Sequence, residues 1–183
     1  MKLYVALIPE KGIVDKIIDL RKKIVALGLA GEDPRADILP HLCIAYLNDE
    51  TEYGEALINE IKKRLSGLVF PKEFNLTAEK YGDLITPGKI AALFKSEDTK
   101  DMVEKVDTIL LNLGVSGNAK YISVLNTPVG DHMELARQIK EGKTEEVKAM
   151  FDAELPKGMI FNRIVLMGYG CREKDIPWQS NRN

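Results

Sequence analysis

Histidine occurs only twice in this 183-residue chain, and both histidines stand in the same five-residue pattern. The first pattern is HLCIA over residues 41–45, and the second is HMELA over residues 132–136. Alternate side chains of a β-strand lie on one face, so each pattern buries its two apolar residues and presents the histidine on the other face. Imidazole titrates near neutral pH, and two histidines that face one cleft would supply a base and an acid to the same reaction.

The residue two positions after each histidine shares its face of the strand. These residues are Cys43 and Glu134. A thiol is a weak hydrogen-bond donor, and nothing in the sequence indicates the lowered pKa that a cysteine nucleophile needs. An ionised Glu134 would favour the charged form of a His132 ring that it touched, and would repel phosphate unless Arg137 or Lys95 offset its charge. A plain surface glutamate on an edge strand is the other interpretation.

The same side chains permit a metal site. If the two strands face each other, His41, Cys43, His132 and Glu134 form a set of ligand types that zinc accepts. The zinc hypothesis stays open from the residues alone.

Aromatic and basic residues near the two patterns are candidates for ligand contacts. Tyr46, Tyr81 and Tyr121 are able to stack on a nucleotide base, although tyrosines also serve as core or rim residues. Lys95 follows an apolar run at a predicted strand end and is a candidate phosphate contact. The basic triplets at 21–23 and 62–64 lie on predicted amphipathic helices and are interpreted as solvated faces.

The hydrophobic pattern predicts strands that alternate with amphipathic helices, which favours an α/β or α+β sandwich. Strands are predicted over 3–8, 40–47, 74–78, 89–94, 121–125 and 159–169, with a turn over 81–88. Helices are predicted over 12–27, 99–113 and 144–154. A further helix is predicted to begin at an N-cap residue, Asp49 or Thr51, and to end at Gly67. Each histidine strand is followed by an amphipathic helix, which indicates two similar halves.

These elements and the two histidine patterns resemble the 2H phosphoesterases, also called the LigT-like or 2′-5′ RNA ligase superfamily. Residues 40–44 and 132–137 match the positions of its two signature motifs, and the resemblance extends from Met1 to about Gly170. It implies a bilobal α+β fold in which antiparallel sheets from two pseudo-symmetric halves line a central cleft, with helices outside. It also implies a single domain over 1–183, with a loose tail after about residue 172.

The resemblance further implies metal-independent attack on a phosphodiester, with the two histidines as general base and general acid. Family members carry hydroxyl residues that hold the phosphate at the positions where this chain has Cys43 and Glu134. The substrates implied are small cyclic or 2′,5′-linked nucleotides, or RNA ends.

The bulk composition limits the classes of partner. The formal net charge of -2 offers no basic excess for a long nucleic acid. Two cysteines are too few for a disulfide scaffold, and the apolar N-terminal run is broken by Pro9 before it reaches membrane-spanning length. We therefore expect a cytosolic protein without a membrane or long nucleic-acid partner; its oligomeric state is not predicted.

The sequence predicts a phosphodiesterase that needs no cofactor and uses His41 and His132 as catalytic residues, with the direction of their roles unassigned. The predicted substrate-binding residues are Cys43, Glu134, Arg137, Lys95, Tyr46 and Tyr121. One alternative is a catalytically weak member of the same fold that binds a nucleotide as a sensor or sequestering module. The zinc-binding protein is the second alternative.

Overall fold

The sheet of this protein is antiparallel, and helices pack against it. A computed structural model of the chain describes residues 3–33, 38–84, 86–120, 130–168 and 174–175. The strands are β1 (Leu3–Pro9), β2 (Leu42–Tyr46), β3 (Phe74–Thr77), β4 (Lys80–Asp83), β5 (Ile90–Leu93), β6 (His132–Ala136), β7 (Gly158–Gly168) and β8 (Lys174–Asp175). The helices with assigned bounds are α1 (Lys11–Ala26), α2 (Glu55–Ser66), α3 (Ser96–Asn112) and α4 (Thr144–Glu154).

The strand order is β3-β7-β1-β2-β6-β5-β4, and β8 adds to β7. The two central strands, β2 and β6, are joined through one register pair, Leu42 opposite Met133. They connect a group formed by β3, β7, β1 and β2 to a group formed by β6, β5 and β4. The expected α+β fold is therefore confirmed, with the sheets of its two halves joined edge to edge into one.

The two faces of the sheet differ in what covers them. The larger core lies on one face and contains residues of all four helices together with alternate strand residues such as Leu3, Val5 and Leu7. A smaller cluster on the other face contains Tyr4 and Cys43 among its members. The period of two in β1 thus divides its side chains between the two faces.

The helices follow from apolar residues at helical spacing. In α1 the buried residues are Ile13, Val14, Ile17, Leu20 and Ile24, which form one stripe along the helix. None of the helices within the described ranges combines the length and the apolar content that a bilayer crossing requires.

Two details differ from the sequence prediction. The predicted turn at 81–88 begins later, because Lys80–Asp83 pairs with β5 as a strand and buries Tyr81. The second helix begins after Gly54, since Asn48 Oδ1 accepts hydrogen bonds from the backbone N–H and the hydroxyl of Thr51 and holds that segment in a turn. The predicted strand at 121–125 lies outside the described residues.

Gly117 lies against the backbone of Leu47 and Asn48 with no room for a side chain. A Cβ at this residue would lie 2.7 Å from the Leu47 carbonyl oxygen and 2.9 Å from the Asn48 nitrogen. We expect Gly117→Ala to lower the free energy of unfolding by about 1–3 kcal/mol, because neither contact is a flexible side chain. Gly12→Ala is the matched control: it meets nothing within 4 Å and replaces a helical glycine, so stability should rise by about 0.5–1 kcal/mol. Urea unfolding measures both; equal effects would contradict the close approach.

Candidate active site on the exposed face of the central strands

The register of β2 and β6 brings the two histidines together. Leu42 and Met133 are opposite each other, and both are fully buried in the larger core. Their neighbours along each strand therefore lie on the opposite face. Antiparallel pairing continued by one residue sets His41 opposite Glu134 and Cys43 opposite His132, so the two imidazoles are diagonal neighbours on one face.

His41 lies just before β2 and is partly buried. Its Nδ1 is 2.8 Å from the carbonyl oxygen of Leu39, which accepts a hydrogen bond if Nδ1 carries the proton. The Tyr4 ring stacks on the imidazole with 5.0 Å between the ring centroids. Burial lowers the pKa of His41 below its ordinary value of 6.5; the Leu39 hydrogen bond and the Glu134 carboxylate oppose this effect, while Arg21 and His132 add to it.

His132 has a different partner. Its Nδ1 is 2.7 Å from Oδ1 of Asp131, the residue before it in the chain. This hydrogen bond fixes the ring so that Nε2 is the nitrogen left for other contacts. The His132 side chain is 23% exposed, so the ring is accessible to solvent.

Glu134 is held by cations rather than by His132. Its carboxylate accepts hydrogen bonds from Arg137 and lies 3.4 Å from Lys89 Nζ. Arg137 also lies 3.3 Å from the Asp33 carboxylate. Arg137 therefore offsets the charge of Glu134, and Lys89 adds to that offset. Glu134 also favours the charged form of His41, which the register sets across the strands from it.

Cys43 and Tyr46 lie on the same face as the histidines, farther along β2. Cys43 is buried in the smaller cluster, and burial raises the pKa of its thiol to about 12. The thiol therefore stays protonated at neutral pH, which disfavours both a nucleophilic role and a metal-thiolate bond. Tyr46 is partly exposed, with its ring 6.3 Å from that of Tyr4.

The remaining predicted contacts divide into three cases. Lys95 is exposed and immediately precedes α3, two residues after Leu93, which pairs with His132. Tyr81 is buried, and its hydroxyl donates to the Leu155 and Pro156 carbonyls, so the prediction that it stacks on a ligand is wrong. Tyr121 lies outside the described residues.

Four residues of this region were missed from the sequence: Tyr4, Arg21, Lys89 and Asp131. Asp131 adjoins a histidine, which is a signal that the sequence did contain. Arg21 was assigned to a solvated helix face, but its guanidinium donates hydrogen bonds to carbonyls near both histidines. Two of these three hydrogen bonds span more than a hundred residues of sequence, which helical periodicity does not report.

The predicted zinc ligands do not form a metal site here. Within the described ranges, no three His, Cys, Asp or Glu side chains are grouped so that they would hold a metal ion. Glu134 is engaged by Arg137 and Lys89, and the Cys43 thiol is protonated. The donor set therefore does not fit zinc.

Two solved structures resemble this fold over nearly the whole chain. Usb1 of Kluyveromyces marxianus matches with a TM-score of 0.53 and 10% sequence identity, covering 96% of this chain and 97% of that one. TT0787 of Thermus thermophilus matches with a TM-score of 0.58 and 15% identity, covering 98% and 100%. No protein-family model and no curated protein sequence matches the chain.

These similarities show that the chain shares its fold with the two proteins, and the α+β fold that the resemblance implied is present. Sequence identities of 10% and 15% establish the fold alone. The activity must therefore be argued from the site.

The ion pair of Glu134 with Arg137 provides a test of the site's construction. Arg137 is largely buried, and its Nη1 has no hydrogen-bond partner among the described residues. We expect Glu134→Gln to lower the free energy of unfolding by about 1–2 kcal/mol, because the largely buried Arg137 keeps only the Asp33 carboxylate as a charged partner. Glu146→Gln, which breaks an exposed pair with Lys143, should change it by less than about 0.5 kcal/mol. Urea unfolding measures both variants. Equal losses of unfolding free energy would contradict the burial of the Glu134–Arg137 pair.

The lowered pKa of His41 makes stability depend on pH. The unfolded chain binds a proton at this ring near pH 6.5, before the folded protein does. Stability should therefore fall as the pH drops below about 6.5, by at most about 1.4 kcal/mol per pH unit from this group. Unfolding measured from pH 7.5 to 5 should show a shallower dependence in His41→Gln than in the wild type. An unchanged slope in that variant would refute the assignment to His41.

Proposed function

We propose that this protein is a metal-independent phosphodiesterase in which His41 and His132 transfer the protons. The substrate proposed is a small cyclic or 2′,5′-linked nucleotide, or an RNA end. One observation carries the proposal: the only two histidines of the chain, far apart in sequence, are diagonal neighbours on one face of the central strands. The fold shared with the 2H phosphoesterases supports it.

His41 suits the role of general base. With Nδ1–H donating to Leu39, the lone pair of Nε2 remains free to accept a proton. The lowered pKa keeps the ring neutral at pH 7. In the proposed step His41 takes the proton from the attacking water or ribose hydroxyl as the new P–O bond forms.

His132 suits the role of general acid. Its hydrogen bond to Asp131 orients the ring and leaves Nε2 for the leaving group. Protonated His132 gives its Nε2 proton to the leaving oxygen as the old P–O bond breaks. One proton is taken and one is given, so the pair exchanges its protonation states in each transfer.

Lysines are the proposed donors to the non-bridging phosphate oxygens, since Cys43 and Glu134 supply no hydroxyl. Lys89 is part-exposed beside Glu134, and Lys95 is exposed where β5 ends next to β6. Preorganised cations at a phosphoryl group stabilise the charge of the transition state. Tyr46, which is partly exposed beside the buried Tyr4 ring, is the proposed base-stacking residue.

A second candidate is a nucleotide-binding module with little or no turnover. The observation that favours it is the loss of both hydroxyl positions: the Cys43 thiol is buried, and the Glu134 carboxylate is engaged by cations. Such a protein would use the same lysines and tyrosines to bind its ligand without cleaving it.

We also propose a cytosolic protein whose two lobes form one domain. Cys43 is a buried free thiol, which suits a reducing compartment, and one sheet joins both groups of strands.

The two candidates are separated by turnover without metal. Purified protein is incubated with 2′,3′-cyclic nucleotides, 2′-5′ oligoadenylates and cyclic dinucleotides, and products are resolved by chromatography. For the enzyme, His41→Ala and His132→Ala should each lower kcat by about 10²–10⁴-fold, because each removes one proton transfer. Because His41 must be neutral, the acidic limb of the wild-type kcat/KM profile should lie below pH 6.5.

Glu146→Gln, which alters an exposed ion pair on α4, is the control and should retain full activity. Tight binding without turnover would support the nucleotide-binding module instead. Turnover that survives in either histidine variant would refute the proposed mechanism.

A further inference from the structure

A guanidinium from α1 joins the two segments that carry the histidines. Arg21 Nε donates to the Leu135 carbonyl at 2.7 Å, and Nη2 donates to the Glu134 carbonyl at 3.1 Å. Nη1 donates to the Ile38 carbonyl at 2.6 Å. Two of these acceptors belong to β6, and the third precedes His41 by three residues.

These bonds lie where the sheet gives little support of its own. Between β2 and β6 the described residues contain one register pair, Leu42 with Met133. The Ile38 carbonyl comes before Leu42 in the chain, and the Glu134 and Leu135 carbonyls come after Met133. In an antiparallel pair these positions lie at the same end. The side chain therefore ties the strands together beyond the point where the described backbone pairing ends.

We propose that Arg21 is a positioning residue for the reaction: it fixes the separation of the segments that carry His41 and His132. This inference rests on the proposed function. Proton transfer to and from one phosphodiester requires both rings at defined distances from it, and a misplacement of about 1 Å is able to cost about 10²-fold in rate. A single side chain that holds both segments meets that requirement.

The charge of Arg21 has a second, separable effect. The charged and titratable groups that act on His41 are Glu134 and His132 from β6 and Arg21 from α1. Arg21 and His132 disfavour the imidazolium form of His41, and Glu134 favours it. The guanidinium thus helps to keep the proposed base neutral, in addition to fixing its place.

Lysine would retain the charge of Arg21 but not its geometry. The guanidinium is a planar fork with five N–H donors, whereas the ammonium of lysine is a single point. Arg21→Lys therefore loses the simultaneous contact with both segments. Arg21→Met removes the contact and the charge together.

The experiment measures kcat and KM for Arg21→Lys, Arg21→Met and the wild type. The substrate is the member of the nucleotide panel described above that the wild type cleaves. It also follows both histidines by NMR through a pH titration, which is simple to assign because the chain has two. We expect Arg21→Lys to lower kcat by about 10²-fold, with little change in KM and little shift of the His41 midpoint. Arg21→Met should lower kcat at least as much and raise the His41 midpoint. Lys22→Met, an exposed neighbour on α1, is the matched control and should behave as wild type.

Wild-type kcat in Arg21→Lys would overturn the positioning role, and an unshifted His41 midpoint in Arg21→Met would overturn the effect of charge. If Arg21→Met fails to fold, Arg21→Lys alone decides the positioning role. A wild type without turnover contradicts the proposed function whatever the variants do. Wild-type turnover that is lost in both histidine variants but kept in Arg21→Lys contradicts the Arg21 inference alone.

Discussion

The arrangement of this protein depends on one backbone pairing, that of Leu42 with Met133. It is the described contact that joins β2 to β6, and hence one group of strands to the other. Both residues are fully buried in the larger core. A one-residue slip of either strand would therefore move its apolar side chains to the other face of the sheet and turn its histidine into the larger core. The hydrophobic effect on one face of the sheet therefore fixes the positions of the imidazoles on the other.

The two histidines are similar in sequence context but differ in environment. His41 is partly buried, has a backbone carbonyl at Nδ1 and is stacked on Tyr4. His132 is held by a carboxylate from the adjacent residue. The two imidazoles therefore have different hydrogen-bond partners although their sequence patterns are the same.

Cys43 and Glu134, each two residues after a histidine, have separate structural consequences. Cys43 fills space in the smaller cluster, which also contains Tyr4. The Glu134 carboxylate lies among cations, because Arg137 and Lys89 both pair with it. The face that carries the histidines therefore combines an apolar cluster on one side with a network of ion pairs on the other.

The sequence by itself determined most of the elements, the alternation of faces in β2 and β6, and the pair of histidines, because these follow from local periodicity and residue type. The predicted start of α2 was wrong because Asn48 hydrogen-bonds to Thr51 and keeps the residues before Gly54 out of the helix. The tertiary structure alone decided that Glu134 lies across from His41, that Lys89 accompanies it, and that Arg21 joins both segments. These contacts depend on strand register and helix placement, which the packing of the whole core sets and which no short stretch of sequence contains.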